Sequence, residues 1–280
     1  MPMNVREVCP DDRDRVRAWI TDETDLDDCD GVISADGGSA VLWRDGVHPL
    51  TERWERQFLP LGERPIEDWH DLLEASLGAL SGDIGQVRVE IRRSAHEGAL
   101  GEALRSAGFT DQILRIRKDV RVAEEPVLPS GATVRLLSRG EEHFAVHCVS
   151  LAITQALDAP VPDSRVREFT RNWLDEGWSS GTLRSYVVVA HGDPVAHALV
   201  SLDGAVGELV DLVVPDAHQR SHGWSRMLST FVETRLALEG ASLLGGTVVT
   251  PDGVHPDQLV ANLSRSGWWI ETVSMIRKSG

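Results

Sequence analysis

Apolar positions in this chain fall into short runs whose period switches between two and three-to-four, and each switch marks a change of element. The pattern is clearest in the second half. Thr133-Val134-Arg135-Leu136-Leu137 reads as a short strand, followed by helical spacing over Glu141 to Leu157 and Ser164 to Glu176. Tyr186-Val187-Val188-Val189-Ala190 is a β-branched run closed by the turn His191-Gly192-Asp193-Pro194. Val195 to Leu202, the hairpin signal Asp203-Gly204, and Val206 to Val214 give two more strands. Met227, Leu228, Phe231, Val232 and Leu236 place a helix from about Trp224 to Glu239, which Gly240 stops. Leu243 to Thr250 is a strand, Pro256 to Ser266 a short helix and Trp268 to Ile276 a last strand. The expected order over about 131–280 is β-α-α-β-β-β-α-β-α-β.

The first half repeats part of this pattern. Leu100, Leu104 and the segment Arg105-Ser106-Ala107-Gly108-Phe109 precede a strand ending Ile116-Arg117-Lys118. Leu259, Leu263 and the segment Ser264-Arg265-Ser266-Gly267-Trp268 precede one ending Ile276-Arg277-Lys278. Both are a helix, a Gly stop, an aromatic residue and a strand with a basic end. Asn4-Val5-Arg6-Glu7-Val8 likewise echoes residues 133–137. An internal repeat of this kind changes the expected architecture from one domain to two. The expectation is a first domain over 1–122, a linker over 123–130 containing Pro126 and Pro129, and a second domain over 131–280.

Between the strand ending at Val214 and the helix opening at Trp224 lies Gln219-Arg220-Ser221-His222-Gly223-Trp224-Ser225. A basic, Gly-containing turn that opens a helix suits phosphate, because the first helical N–H groups have no internal partner and the helix dipole favours an anion there. Arg220 adds a charged fork and Gly223 permits close approach to the backbone. This strand–turn–helix resembles the pyrophosphate-binding segment of the GNAT superfamily of acyl-CoA N-acyltransferases, whose pattern is Arg/Gln-x-x-Gly-x-Gly/Ala. Arg220, Gly223 and Ser225 fit it with Ser in the last small position, on a turn about one residue longer than usual.

The resemblance implies a mixed, mostly antiparallel central sheet flanked by helices in each of two tandem GNAT-like domains, an α/β (α+β) architecture. It implies acetyl-CoA or another acyl-CoA as donor, with Gln219, Arg220, Ser221, His222, Gly223, Trp224 and Ser225 around the pyrophosphate. The thioester carbonyl would be polarised by the backbone N–H of Val213 or Val214. The corresponding turn of the first domain, Leu61-Gly62-Glu63-Arg64-Pro65, carries a Glu and a Pro and suits an anion poorly. The first domain is therefore expected to be structural, or to shape the acceptor pocket.

Acyl transfer to an amine needs a base, a polarised carbonyl and a protonated leaving thiolate. The resemblance implies a carboxylate base on the strand before the turn: Glu208, six residues before Val214, suits that position, and Asp211 is the other candidate. Strict alternation puts the two on opposite faces, and a bulge would reverse that. The family's usual acid is a Tyr four residues before a Gly-aromatic pair; here that position is Leu263, and the chain's one tyrosine is Tyr186. His255 is the candidate replacement, since His titrates near neutrality. Trp178 in the segment Gly177-Trp178-Ser179-Ser180-Gly181 is expected in a loop walling the acceptor pocket, while Trp173, Trp268 and Trp269 are expected in the core.

Composition narrows the partners. The net charge is −16 with Lys118 and Lys278 as the only lysines, a surface that repels nucleic acid and anionic membranes at long range. An acidic surface suits a cationic small-molecule amine. No apolar run approaches the roughly 20 residues that span a bilayer. The first 30 residues are rich in Asp and Arg and do not read as a signal peptide. Cys9, Cys29 and Cys148 are too scattered for a disulfide framework or metal cluster. A cytoplasmic protein is expected. Two alternatives stand beside acyl transfer from acyl-CoA: the same fold taking aminoacyl groups from charged tRNA, and a non-catalytic ligand-binding relative.

Overall fold

The computed structural model describes residues 5–7, 14, 16–17, 29–34, 38–62, 66–78, 84–122, 126–157, 160–215, 223–249 and 256–278. The first half forms β1 (Val5–Glu7), β2 (Asp30–Ser34), β3 (Ser39–Val47), β4 (Trp54–Gly62), helix α1 (Ile66–Gly78), β5 (Ile84–Arg92), the short helices α2 (Arg93–His96) and α3 (Ala99–Ser106), and β6 (Thr110–Asp119). The second half forms β7 (Ala132–Leu136), α4 (Glu142–Ala156), α5 (Asp163–Ser180), β8 (Leu183–Ala190), β9 (Asp193–Asp203), β10 (Val206–Val213), α6 (Trp224–Leu238), β11 (Leu243–Val249), α7 (Pro256–Arg265) and β12 (Trp269–Lys278). Each half thus runs through three antiparallel strand neighbours and then a parallel pair joined by a helix, β4–α1–β5 and β10–α6–β11. The tandem arrangement expected from the repeated signature is present.

The chain separates into two units, the first running to Leu114 and resuming at Ile270, the second holding Arg115–Val249 and the stretch ending at Trp269. In the first unit the strand order is β1-β2-β3-β4-β5-β12, and β12 pairs antiparallel with β5 from Thr272 opposite Arg92 to Lys278 opposite Gln86. In the second unit the order is β6-β11-β10-β9-β8-β7, with β6 contributing from Arg115 onward. The last strand of the chain therefore completes the sheet of the first unit, and the strand that closes the first half serves the second. The units are not the expected contiguous blocks 1–122 and 131–280. Each of the two exchanged strands covers the edge of a fifth strand, which would otherwise present unpaired backbone groups.

The second unit buries one helix layer on each face of its sheet. Trp224, Leu228, Phe231, Val232 and Leu236 recur at helical spacing along α6 and pack on Tyr186, Val188, Ala196, Ala198 and Val200. Tyr186 and Phe231 meet edge to face at 5.8 Å between ring centres. On the opposite face Ala145, Val146 and Val149 of α4 and Leu174 of α5 pack on Leu199. Burial of each large side chain contributes about 1.5–3 kcal/mol, so the two stripes fix which side of β8–β10 every other residue faces. Two tryptophans depart from expectation. Trp178 lies inside α5 and packs against the α4–α5 core, because the helix runs on to Ser180 before Gly181 stops it. Trp269, at the start of β12, is exposed.

Candidate active site

The site is organised by an irregularity in β10. Leu209 pairs with Val200 of β9, but the next pair is Asp211 with Leu199, so Val210 is an inserted residue. Leu209 and Leu212 pack on the α6 side, whereas Val210 packs on the α4–α5 side. Asp211, opposite Leu199, also faces α4 and α5, and Glu208, opposite Ser201, lies on that same face. Strict alternation would have separated the two carboxylates; the bulge brings them together.

The bulge is also where β10 and β11 part. Their parallel pairing runs from Val206 opposite Leu243 to Leu209 opposite Gly246 and ends there, although β10 continues to Val213 and β11 to Val249. The edge of β10 after Leu209 is thus released from the ladder with β11. Residues 214–223 then lead to α6, whose N-cap Gly223 has φ 63° and ψ 39°, a left-handed conformation that glycine adopts without steric cost. The first turn of α6 contains no acidic residue to offset the positive end of the helix dipole.

Glu208 is held from the neighbouring strands. The Arg117 guanidinium of β6 pairs with Glu208 Oε1, with side-chain exposures of 17 % and 38 %. The pair lies over Gly245 of β11: a Cβ there would collide with both Arg117 Nη1 and the Glu208 carboxylate. Three adjacent strands, β6, β11 and β10, thus cooperate to orient one carboxylate that remains partly open to solvent.

Asp211 is in a different environment. Its Oδ2 is buried without a hydrogen-bond partner among the described residues, and burial pushes its carboxyl up to about 7, against a smaller opposing effect of a hydrogen bond from the Leu212 N–H. Cys148 of α4 lies close enough to feel it; burial, and secondarily the Asp211 charge, push that thiol up to about 12. The thiol therefore stays protonated and is a core group, not a nucleophile. His197, diagonal to Asp211 on the same face, is fully buried, and desolvation holds its imidazole down to about 4. His197 Nε2 lies 3.0 Å from Ser185 Oγ, which also accepts a hydrogen bond from Trp178 Nε1 at 3.2 Å. Trp178, Ser185, His197 and Asp211 thus form a polar seam beneath α4 and α5, with the two titratable members both uncharged through part of the neutral range.

Of the residues the sequence singles out, Glu208 and Asp211 come together on one face. Val213 ends β10 half-buried, and Val214 follows it, packed against the α6 core. Gly223 opens α6 and Ser225 is exposed on its first turn. The Trp224 side chain is 4 % exposed and belongs to the α6 core, so its contribution to a ligand is confined to its backbone; the apolar spacing that makes it a helix residue also turns it inward. Gln219, Arg220, Ser221, His222 and His255 lie outside the described residues. Arg117 and Gly245 are site residues that sequence reasoning missed. The Gly245-Gly246 pair inside an apolar strand was the available signal, since glycine there marks a close approach. Among the described residues no cluster of His, Cys, Asp and Glu is arranged to hold a metal ion, and no helix is long and apolar enough to cross a membrane.

No protein-family model and no curated protein sequence matches this chain. Solved structures do. A GCN5-related N-acetyltransferase from Sphaerobacter thermophilus superposes with TM-score 0.59 and 16% identity, covering 95% of this chain and 85% of that one. A GCN5-related N-acetyltransferase from Kribbella flavida gives 0.51 at 18% identity, covering 86% and 87%. The GCN5-related glucosamine N-acetyltransferase region of a fungal multi-domain GH3 beta-N-acetylglucosaminidase gives 0.55 at 13% identity, covering 98% of this chain and 38% of that one. The fold is therefore the GCN5-related N-acetyltransferase (GNAT) fold. At these identities the likeness speaks to fold and not to chemistry.

Proposed function

We propose that this protein is an N-acyltransferase that moves an acyl group from acyl-CoA, with acetyl-CoA the first donor to test, to a small-molecule amine by direct attack. The observation that carries the proposal is the parting of β10 from β11 beyond Leu209, directly before the segment that leads into α6. The released edge of β10 offers backbone N–H groups to a thioester carbonyl, and the fits of Gly223 and of an acid-free first helical turn suit a pyrophosphate. Here Val213 or Val214 polarises the carbonyl, and Gln219 to Ser225 hold the phosphates. The amine nitrogen bonds to the carbonyl carbon, the carbon–sulfur bond breaks, and the amine proton passes to Glu208 directly or through water. Glu208 suits this role because it is both oriented by Arg117 and partly open to solvent. Asp211, sealed beneath α4, sets the polarity behind the acceptor side.

Tyr186 is buried against Phe231 and unavailable to protonate the leaving thiolate, and that step falls to His255 or solvent. A thermal-shift panel of acetyl-CoA, longer acyl-CoAs, free CoA and deacylated tRNA separates the readings. A ligand that binds the native state raises the melting temperature by mass action. Stabilisation by acyl-CoAs with turnover of an amine supports the proposal; stabilisation by tRNA alone supports the other donor; binding without turnover supports the non-catalytic reading.

A further inference from the structure

The first unit carries a cleft of about 310 Å3 on β3, β4 and β5, remote in the sequence from the phosphate turn, and its walls are rich in guanidinium groups. Strand register explains the grouping. Arg44 of β3 lies opposite Gln57 of β4, and Gln57 lies opposite Arg88 of β5, so two arginines flank one glutamine in a single row. With strands about 4.8 Å apart, the two arginine Cα atoms stand roughly 10 Å from one another, a spacing from which two long side chains can converge on one group.

Among the described residues the acids lining the cleft offset this row only in part, with Glu55 in ion-pair range of Arg88. Asp45 is taken up by Arg56, which donates from Nε at 2.6 Å and Nη2 at 2.7 Å. Glu55 accepts from Gln86 at 2.9 Å, and its other oxygen stands 3.9 Å from Arg88 Nη2, beyond hydrogen-bond reach. Arg44 Nη2 donates to Gln57 Oε1 at 3.1 Å, a neutral acceptor. Arg88 Nε, a donor of this row, is buried with no hydrogen-bond partner among the described residues, whereas Arg56, one residue from Gln57 along β4, turns to the other face. The Arg56 side chain is 6 % exposed and rests over the Trp43 ring at 5.0 Å, so it is fixed in place. At the rim, His48 Nδ1 accepts from the Leu50 and Thr51 N–H groups at 3.2 Å each. That leaves its proton on Nε2, a further donor.

We infer that this cleft is a binding site for a small oxyanion, a carboxylate or phosphate group, held by Arg44 and Arg88 with Gln57 between them. Buried guanidinium N–H groups without acceptors are costly in a folded protein, and an oxyanion in the cleft supplies acceptors in the planar geometry that guanidinium matches. The site gives the first unit a role as a binding module on a chain whose net charge is otherwise strongly negative.

The test is the melting temperature of the full chain against inorganic phosphate and, separately, malonate, each compared with sodium chloride at equal ionic strength. A saturable rise in the wild type is expected with at least one of the two, and which one identifies the anion. The Arg88→Gln and Arg44→Gln variants should need at least tenfold more anion for the same rise, while Arg265→Gln, which removes a surface guanidinium of α7 bonded, among the described residues, only within its own helix, should respond like wild type. Circular dichroism of each variant without anion establishes that it folds. No saturable response in the wild type overturns the inference. So does a response that survives Arg88→Gln and Arg44→Gln, and a response lost in Arg220→Ala assigns the anion to the helix turn instead.

Discussion

At the residue scale, the two carboxylates of β10 share a face but not an environment, and this separates their consequences. If Glu208 removes the amine proton, Glu208→Gln keeps the shape and loses the acceptor. Turnover should fall by about 10²–10⁴-fold, least at high pH where more of the amine is already deprotonated, with donor affinity nearly unchanged. Steady-state kinetics over a pH series reads this; wild-type activity in Glu208→Gln would remove Glu208 from the mechanism. Asp211 acts on stability. Its folded pKa, about 7, is raised above the ordinary aspartate value of 3.8. The folded state therefore binds the extra proton, and the contribution of this group to stability is full below about pH 4 and is lost as the pH rises through 7. Asp211→Asn, which cannot ionise, should be more stable relative to wild type at pH 8 than at pH 5, in denaturant titrations at both pH values. An unchanged difference would mean that the carboxylate is not desolvated. Glu208 was legible in the sequence as an acid on the right strand. Its partner was not, because Arg117 lies 91 positions away and only the sheet order brings them together.

Among the elements, those of the second half are found within a few residues of their expected limits, because two-sided burial imposes clean periods on β8–β10 and α6. The bulge was not legible. Leu209 to Val214 reads as a nearly continuous apolar run, and an inserted Val210 leaves no trace when both faces of a strand are buried. The extension of α5 through Trp178 was hidden by Gly177, which reads as a stop but lies inside the helix against Leu183. Gly223 offers a direct check on the opening of α6. Gly223→Ala should cost about 1–2 kcal/mol in denaturant unfolding, the penalty for a Cβ in a left-handed conformation. A neutral outcome would mean that the helix opens without that conformation.

For the molecule as a whole, the repeated signature announced two copies but could not say that their last strands are exchanged. Ile116-Arg117-Lys118 and Ile276-Arg277-Lys278 carry the same local pattern, so nothing local distinguishes which sheet each completes. The exchange predicts that damage to β12 is felt in the first unit. In Ser274→Pro, opposite Glu90, the missing N–H and the fixed backbone angle break the ladder with β5. Hydrogen exchange should quicken across β5 while β8 and β9 keep their protection; faster exchange in β8 and β9 with β5 unchanged would contradict the strand order.

The central claim is that acyl-CoA is held where β10 leads into α6, and isothermal titration of the full chain with acetyl-CoA tests it most directly. Arg220→Ala removes a charged hydrogen-bond donor, which is worth about 1.5–3 kcal/mol, so affinity should fall by about 10- to 150-fold. Arg64→Ala, in the corresponding turn of the first half, should bind like wild type. No binding by the wild type, or equal losses in the two variants, would contradict the account.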